Sequence, residues 1–142
     1  MENFRFTHKL KVRYSEIDGQ KIVFNAHYLT YIDVAVSEYF QEGLQLDIAA
    51  LANQGEFDFV LAKSTLEYIS PARLNDWLTI GCRITKIGNK SLAMNCTITR
   101  EEETSPLVLG EIIYVSYDPH SQTSRPVPDA IRERINKFEG NI

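Results

Sequence analysis

The first clear pattern along the chain is an alternation of apolar and polar positions over residues 5–14. Apart from His8, one face of this segment carries Phe6, Leu10, Val12 and Tyr14. A period of two is typical of a β-strand that buries one face. The alternation stops at residues 15–27, whose Ser, Asp, Gly and Asn residues predict a loop that leads into a helix.

Residues 26–42 change to the spacing of an α-helix. Two neighbouring apolar stripes run along this segment, one made of Tyr28, Ile32, Ala35 and Tyr39, the other of Leu29, Val36 and Phe40. An apolar surface this broad predicts a helix that the rest of the protein wraps. Asn25 is suited to cap its start, and Gly43 is suited to end it.

The second half of the chain has the pattern of a β-sheet. A short helix is expected over 46–53, and strands are predicted at 58–69, 77–87, 91–101 and 107–117. Gly88-Asn89-Lys90 makes a tight hairpin turn between the middle two strands. Pro128 opens a last helix, whose apolar face carries Ile131, Ile135 and Phe138.

The order of these elements favours one α+β architecture. Strands joined by short turns are mostly antiparallel, and curling their sheet around the long apolar helix buries both surfaces. This is a hotdog fold, an antiparallel sheet wrapped around a long central helix, although periodicity alone leaves other α+β folds open. A length of 142 residues suits a single domain over 1–142.

Composition narrows the function classes. The chain has 44% hydrophobic and 24% charged residues, a net charge of −4 and scattered basic residues, which argues against nucleic-acid binding. No continuous apolar stretch near the N-terminus indicates an export signal or a membrane span, so a cytoplasmic protein is expected. Cys82 and Cys96 are expected to be free thiols. They could face each other across one hairpin, although two small buried side chains are the simpler interpretation, and their spacing fits no zinc site.

Three separated segments carry a family resemblance. They are Tyr-Ser-Glu-Ile-Asp-Gly-Gln-Lys-Ile-Val-Phe-Asn-Ala-His-Tyr over 14–28, Glu-Tyr-Ile-Ser-Pro-Ala-Arg-Leu-Asn-Asp over 67–76, and Val-Ser-Tyr-Asp over 115–118, followed by Arg125-Pro126 and Pro128. In this order they resemble the 4-hydroxybenzoyl-CoA thioesterase family, which includes acyl-CoA thioesterases associated with the Tol-Pal cluster. The resemblance covers nearly the whole chain and is much more specific for the family than for a substrate.

The resemblance implies roles for particular residues. Asp18 would be the nucleophile or the base for water, and the backbone N–H at Asn25 would polarise the thioester carbonyl. Thioester hydrolysis needs both groups, and a helix N-terminus offers free N–H donors. Substrate-binding roles are expected for Tyr28, Arg73, Lys90 and Ser91. The last two follow the turn that lies near bound CoA in the family, and Arg73 alternatively shapes a strand end or contacts another subunit. No metal or separate cofactor is expected, because CoA is part of the substrate.

Two charged residues, Glu16 and Lys21, lie close to Asp18 in the sequence. Glu16 is the rival carboxylate and is interpreted as a solvated neighbour. Lys21 occupies the position where the family usually has glycine, which predicts either a remodelled loop or an ion pair between Lys21 and Asp18.

The fold also predicts an oligomer, and the sequence leaves three functions to be compared. An exposed edge strand invites pairing, so a homodimer or homotetramer is expected, as in the family. The leading hypothesis is an enzyme that hydrolyses an acyl-CoA or acyl-carrier-protein thioester. The alternatives are a catalytically silent hotdog domain that binds acyl-CoA or a partner protein, and a dehydratase or hydratase. The last would need a paired His and acid that the loop does not obviously supply.

Overall fold

The computed structural model describes residues 3–142 of the chain. Its helices and strands, in chain order, are β1 Phe6–Lys11, α1 His27–Glu38, α2 Ile48–Asn53, β2 Phe59–Tyr68, β3 Trp77–Ile87, β4 Ser91–Arg100, β5 Pro106–Asp118, β6 Thr123–Ser124 and α3 Asp129–Glu139. A 3-10 turn, Tyr14–Glu16, precedes α1, and a π-helical segment, Tyr39–Gly43, follows it.

The strands form one antiparallel sheet in the order β1-β3-β4-β5-β2, and β6 pairs with the end of β5. Strands β3, β4 and β5 form a meander, as their short connections predict. Strand β2 leaves this sequence and pairs along its whole length with β5. The long strand β2 therefore lies at an edge of the sheet.

The central helix α1 lies against the apolar face of the curled sheet. Its buried side chains Ile32 and Ala35 belong to the same core as Ile80 of β3, Ile98 of β4 and Ile112 of β5. All five are fully or almost fully removed from water. Burial of this apolar surface is the main favourable contribution to the fold. The predicted hotdog architecture is confirmed.

The C-terminal helix α3 closes the end of the core where α1 stops. The hydroxyl of Tyr39 donates a 2.5 Å hydrogen bond to the Glu139 carboxylate. The backbone N–H of Ile84 donates to the same oxygen at 3.1 Å. The pairing of β3 with β4 is irregular between Ile84 and Lys86. Such an irregularity can leave a backbone N–H without a partner in the sheet, and Glu139 accepts the hydrogen bond from the Ile84 N–H.

The structure corrects the C-terminal end of the first predicted strand. It confirms the bounds of β3, β4 and β5 to within one residue. Strand β1 ends at Lys11 instead of residue 14, because the chain enters the 3-10 turn. Tyr14 is therefore 80% exposed and not part of a buried face.

Cys82 and Cys96 are register partners, both buried, with their sulfur atoms 3.6 Å apart. None of the helices within residues 3–142 has the length and apolar character needed to cross a membrane.

Candidate active site

Asp18 lies at the start of a small hairpin between β1 and α1. Its backbone N–H donates to the carbonyl of Ile22 at 2.9 Å, and the N–H of Lys21 donates to the Asp18 carbonyl at 2.9 Å. The side chain accepts a 2.7 Å hydrogen bond from the N–H of Gln20 through Oδ1. Ile17 and Val23 form a bridge at the base. One carboxylate oxygen thus shapes the turn, and Oδ2 has no hydrogen bond among residues 3–142.

Lys21 adopts the backbone conformation that glycine would favour. Its φ is +63°, in the left-handed region, where a Cβ costs about 1–2 kcal/mol. The predicted ion pair with Asp18 is wrong, because no salt bridge among residues 3–142 joins the two side chains. The turn instead accommodates lysine directly by accepting this backbone strain.

Glu16 is buried, and the interpretation of it as a solvated neighbour is wrong. Only 4% of the residue is exposed. Oε1 accepts hydrogen bonds from the Arg13 N–H at 2.8 Å and the Tyr31 hydroxyl at 2.9 Å, and Oε2 accepts two from the Arg13 guanidinium. Burial alone would raise the pKa of the Glu16 carboxyl, but the hydrogen bonds from Arg13 and Tyr31 together lower it. Glu16 is therefore held as a buried carboxylate.

The hairpin rests on the segment before β3. The N–H of Val23 donates to the Ala72 carbonyl at 2.9 Å, and Ile22 forms a bridge with Arg73. The N–H of Ala72 donates to the Tyr28 hydroxyl at 3.0 Å. Burial raises the pKa of the Tyr28 hydroxyl. The hairpin and the first turn of α1 are therefore both tied to Ala72.

An apolar cleft of about 380 Å³ opens beside these contacts. Its lining residues are Ile22, Val23, Asn25, Tyr28, Tyr68, Ile69, Ser70 and Pro71. The rings of Tyr28 and Tyr68 lie 5.6 Å apart between centroids. Tyr68 and Ile69 are 54% and 51% exposed, which leaves much apolar surface open at the rim. A pocket of this character suits an apolar group that is carried on a polar ligand.

Asn25 does not cap α1, and that prediction is wrong. The helix starts at His27, its N-cap residue is Ala26, and no side chain caps it. Asn25 instead lines the cleft, one residue before the N-cap. The backbone N–H groups of Asn25 and Ala26 have no hydrogen-bond partner within residues 3–142. Two consecutive free donors therefore stand at the positive end of the α1 dipole.

Comparison with known proteins identifies the family. The sequence profile of the family described as Thioesterase superfamily matches residues 20–107, which is more than half of the chain. The chain belongs to the thioesterase superfamily. The predicted resemblance is thereby confirmed, and the protein is a thioesterase. The matched range starts just after Asp18, so the role of that residue is a separate question.

Individual relatives agree with this placement. The chain is 30% identical over 131 residues to the acyl-CoA thioester hydrolase YbgC of Escherichia coli O6:H1, covering 92% of this chain and 96% of that protein. It is 26% identical over 130 residues to the long-chain acyl-CoA thioesterase FadM of Escherichia coli K12, covering 92% and 96%. A thioesterase from Thermus thermophilus, solved with coenzyme A and Zn, superposes with a TM-score of 0.84 at 31% identity, covering 100% and 99%. In residues 3–142 of the present thioesterase, no group of three His, Cys, Asp or Glu side chains is arranged to hold a metal ion.

A partly buried ion pair that the sequence analysis missed supports the cleft wall of this thioesterase. The Arg100 guanidinium binds the Asp76 carboxylate at 2.9 Å and the Pro71 carbonyl at 3.1 Å. The same Asp76 oxygen, Oδ2, also accepts a 2.8 Å hydrogen bond from the N–H of Arg73. The only signal in the sequence was an arginine at the end of a strand, and its partner lies 24 residues away. Arg100 fixes the turn on which the Asp18 hairpin rests.

The predicted site residues lie at two opposite ends of the fold. Asn25 and Tyr28 line the cleft, and the Asp18 hairpin reaches the same region through Ile22, which lines the cleft and forms a bridge with the exposed Arg73. Lys90 and Ser91 lie beyond the far end of β3. That strand has 11 residues, and at about 3.3 Å per residue it separates the two groups by about 33 Å. The fold of a single chain does not bring Lys90 and Ser91 to the cleft.

Proposed function

We propose that this thioesterase hydrolyses acyl-CoA thioesters, with Asp18 as the attacking or water-activating carboxylate. The observation that carries this proposal is the position of Asp18 in a hairpin that leads directly into the uncapped start of α1. A carboxylate and unpartnered N–H donors on one short segment are the two groups that thioester cleavage requires. The printed activities of YbgC and FadM support the choice of acyl-CoA as substrate.

The chemistry follows from the two groups. With the thioester carbonyl at the start of α1, the N–H groups of Asn25 and Ala26 would stabilise the negative charge that develops on its oxygen. Asp18 either takes a proton from an attacking water or attacks the carbonyl carbon itself. In the second route the acyl-aspartyl anhydride is then hydrolysed by water. In both routes the C–S bond breaks and the CoA sulfur leaves as a thiolate. One water is consumed: its oxygen is added to the acyl group, which is released as a carboxylic acid, and one of its protons balances the one that the thiolate takes up, from Asp18 in the first route and from solvent in the second.

The substrate contacts belong to the same proposal. Tyr28 and the apolar rim would hold the acyl portion next to Asp18. The Arg73 side chain has no hydrogen-bond partner within residues 3–142 and is exposed, so it is available to an anionic phosphate. An acyl-carrier-protein thioester would present a phosphate to the same group, and the substrate panel described below distinguishes the two carriers.

We infer that the working enzyme is a homo-oligomer, at least a dimer. Strand β2 is an edge strand of 10 residues, and its Val60 and Leu61 are 41% and 43% exposed. A second subunit that pairs with this edge would cover the apolar rim. It is also a source of Lys90 and Ser91, which cannot reach the cleft of their own subunit. Leu61→Lys should shift the molecular mass measured by light scattering towards the monomer, and an unchanged mass would contradict pairing through β2.

Two further proposals concern the domain organisation and the location of the protein. Residues 1–142 are proposed to act as one domain, because β1, α1 and α3 all contribute to one core within residues 3–142. A cytoplasmic location is proposed because Cys82 and Cys96 lie close together as free thiols.

Thiol release tests the function itself. The purified protein is given short, long and aromatic acyl-CoAs and the matching acyl-carrier-protein thioesters, and free thiol is measured over time. Turnover of acyl-CoAs supports the proposal, and turnover of carrier-protein thioesters alone reassigns the carrier. Binding of acyl-CoAs without turnover would contradict it and favour the silent binding domain. Hydration of an enoyl thioester would favour the hydratase alternative.

A further inference from the structure

Glu16 is the buried carboxylate for which the proposed reaction has no chemical use. It lies two residues before Asp18 and is 4% exposed. A buried carboxylate is expensive to desolvate, and such groups often contribute little net stability. Four hydrogen bonds from two residues nevertheless converge on it. Its placement therefore calls for a role other than general stabilisation.

The contacts of Glu16 join three parts of the site. Its carboxylate binds the Arg13 backbone at the exit from β1 and the Tyr31 hydroxyl on the second turn of α1. Its carbonyl accepts a 2.9 Å hydrogen bond from the N–H of Phe24, next to Asn25. Both strands of the Asp18 hairpin and the helix are therefore tied to one residue.

We propose that Glu16 is a positioning residue that fixes the Asp18 carboxylate relative to the start of α1. The inference rests on the proposed function, because it assigns Asp18 the chemical role. Two rungs separate the Glu16 anchor from the Asp18 turn, namely the bridge between Ile17 and Val23 and the hydrogen bond from Asp18 to Ile22. A shift of Glu16 therefore moves Asp18 with little room for compensation. Displacements of about 1 Å at a reacting group lower rates by as much as about 10²-fold.

The molecule contains a matched control for this role. A second tyrosine–carboxylate hydrogen bond joins Tyr39, at the start of the π-helical segment after α1, to Glu139 at the end of α3. Glu139 also accepts a backbone N–H, as Glu16 does. This pair lies at the other end of the core, beside Ile84 of β3. Glu139→Gln should therefore reproduce the loss of a half-buried carboxylate with similar hydrogen bonds, without moving Asp18.

The test compares kcat and KM for the wild type, Glu16→Gln, Tyr31→Phe and Glu139→Gln. Glutamine has one acceptor oxygen where Glu16 uses two, and it turns an amide donor towards Arg13 or Tyr31. We expect Glu16→Gln to lower kcat about 10- to 100-fold with KM within about twofold. Tyr31→Phe removes one donor and should lower kcat by a smaller factor. It also replaces Glu16→Gln as the test if that variant does not fold. Glu139→Gln should keep kcat within about twofold.

A double variant separates positioning from general stability. If Glu16 acts through Asp18, adding Glu16→Gln to Asp18→Asn should lower kcat by at most about threefold. Full multiplication of the two losses would overturn the inference. So would a wild-type kcat in Glu16→Gln, or an equal loss in Glu139→Gln.

Amide hydrogen exchange tests whether Glu16 holds the Asp18 hairpin in place without any measurement of enzyme activity. Glu16→Gln should accelerate exchange of the Asp18 and Lys21 amides at least about tenfold, and Glu139→Gln should not. If the wild type has no thioesterase activity, the proposed function fails, but faster exchange in Glu16→Gln alone still supports the positioning role. Unchanged exchange of these amides overturns it whatever the activity.

Discussion

The hydroxyl of Tyr28 accepts a 3.0 Å hydrogen bond from the buried N–H of Ala72. The contact spans 44 residues of sequence and ties the first turn of α1 to the cleft wall. Tyr28 also forms part of the lining of the cleft. Tyr28 is thus a structural support, in addition to the substrate contact that we propose for it.

Tyr28→Phe should destabilise the fold by about 1–3 kcal/mol, because it leaves the buried Ala72 amide without an acceptor. The phenyl ring still packs against Tyr68, so the loss reports the hydrogen bond. The free energy of unfolding in urea measures it. Tyr68→Phe is the control, since the Tyr68 hydroxyl has no hydrogen bond within residues 3–142 and should cost under about 0.5 kcal/mol. Equal losses in the two variants would contradict this account.

Lys21→Gly should stabilise the protein by up to about 1 kcal/mol, because glycine removes the strain of a side chain at φ +63°. Lys21→Ala keeps the Cβ and removes the charge, so it should give no such gain. Thermal unfolding of both variants measures the difference. An equal gain for alanine would show that the lysine charge, and not the backbone conformation, is the unfavourable feature. Because Lys21 makes no ion pair with Asp18, kcat should stay within about twofold in both.

The stability contribution of Glu16 should depend on pH. Its pKa is lower in the folded state than the ordinary value of 4.5, so above that value the folded state is more stable with Glu16 ionised than it would be with Glu16 protonated. This contribution is lost as the pH falls through the folded pKa. The difference in unfolding free energy between the wild type and Glu16→Gln should therefore be largest at neutral pH and shrink below about pH 4.5. A difference that is constant from pH 7 to pH 3 would contradict the assignment of a buried, ionised Glu16.

The sequence predicted local structure well because each element has its own periodicity. The strand at 77–87 matches Trp77–Ile87, and the last helix follows Pro128 as expected. The pairing of β2 with β5 could not be read in the same way, since it depends on which distant edge is free. Local patterns carry no information about that choice.

The predictions at the site failed where they depended on a single residue step or on a distant partner. Asn25 is a good cap by residue type, but the helix begins at His27 and makes Ala26 the N-cap. Glu16 looked solvated because its partner Tyr31 lies 15 residues ahead, on a helix whose rotation the sequence does not fix. The structure places Asn25 and Tyr28 in the lining of one cleft, which the sequence could indicate because the two residues are close along the chain. The role of Asp18 stays a prediction.

The most direct test of the account is the effect of Asp18→Asn on kcat for acyl-CoA hydrolysis. Asparagine keeps the oxygen that accepts the Gln20 N–H, so the turn and the thermal midpoint should be preserved. Asp47→Asn is the control, because Asp47 caps α2 away from the cleft and asparagine caps equally well. We predict a loss of about 10²-fold or more for Asp18→Asn and none for Asp47→Asn. A folded Asp18→Asn enzyme with kcat within a few-fold of the wild type would contradict the central role of Asp18.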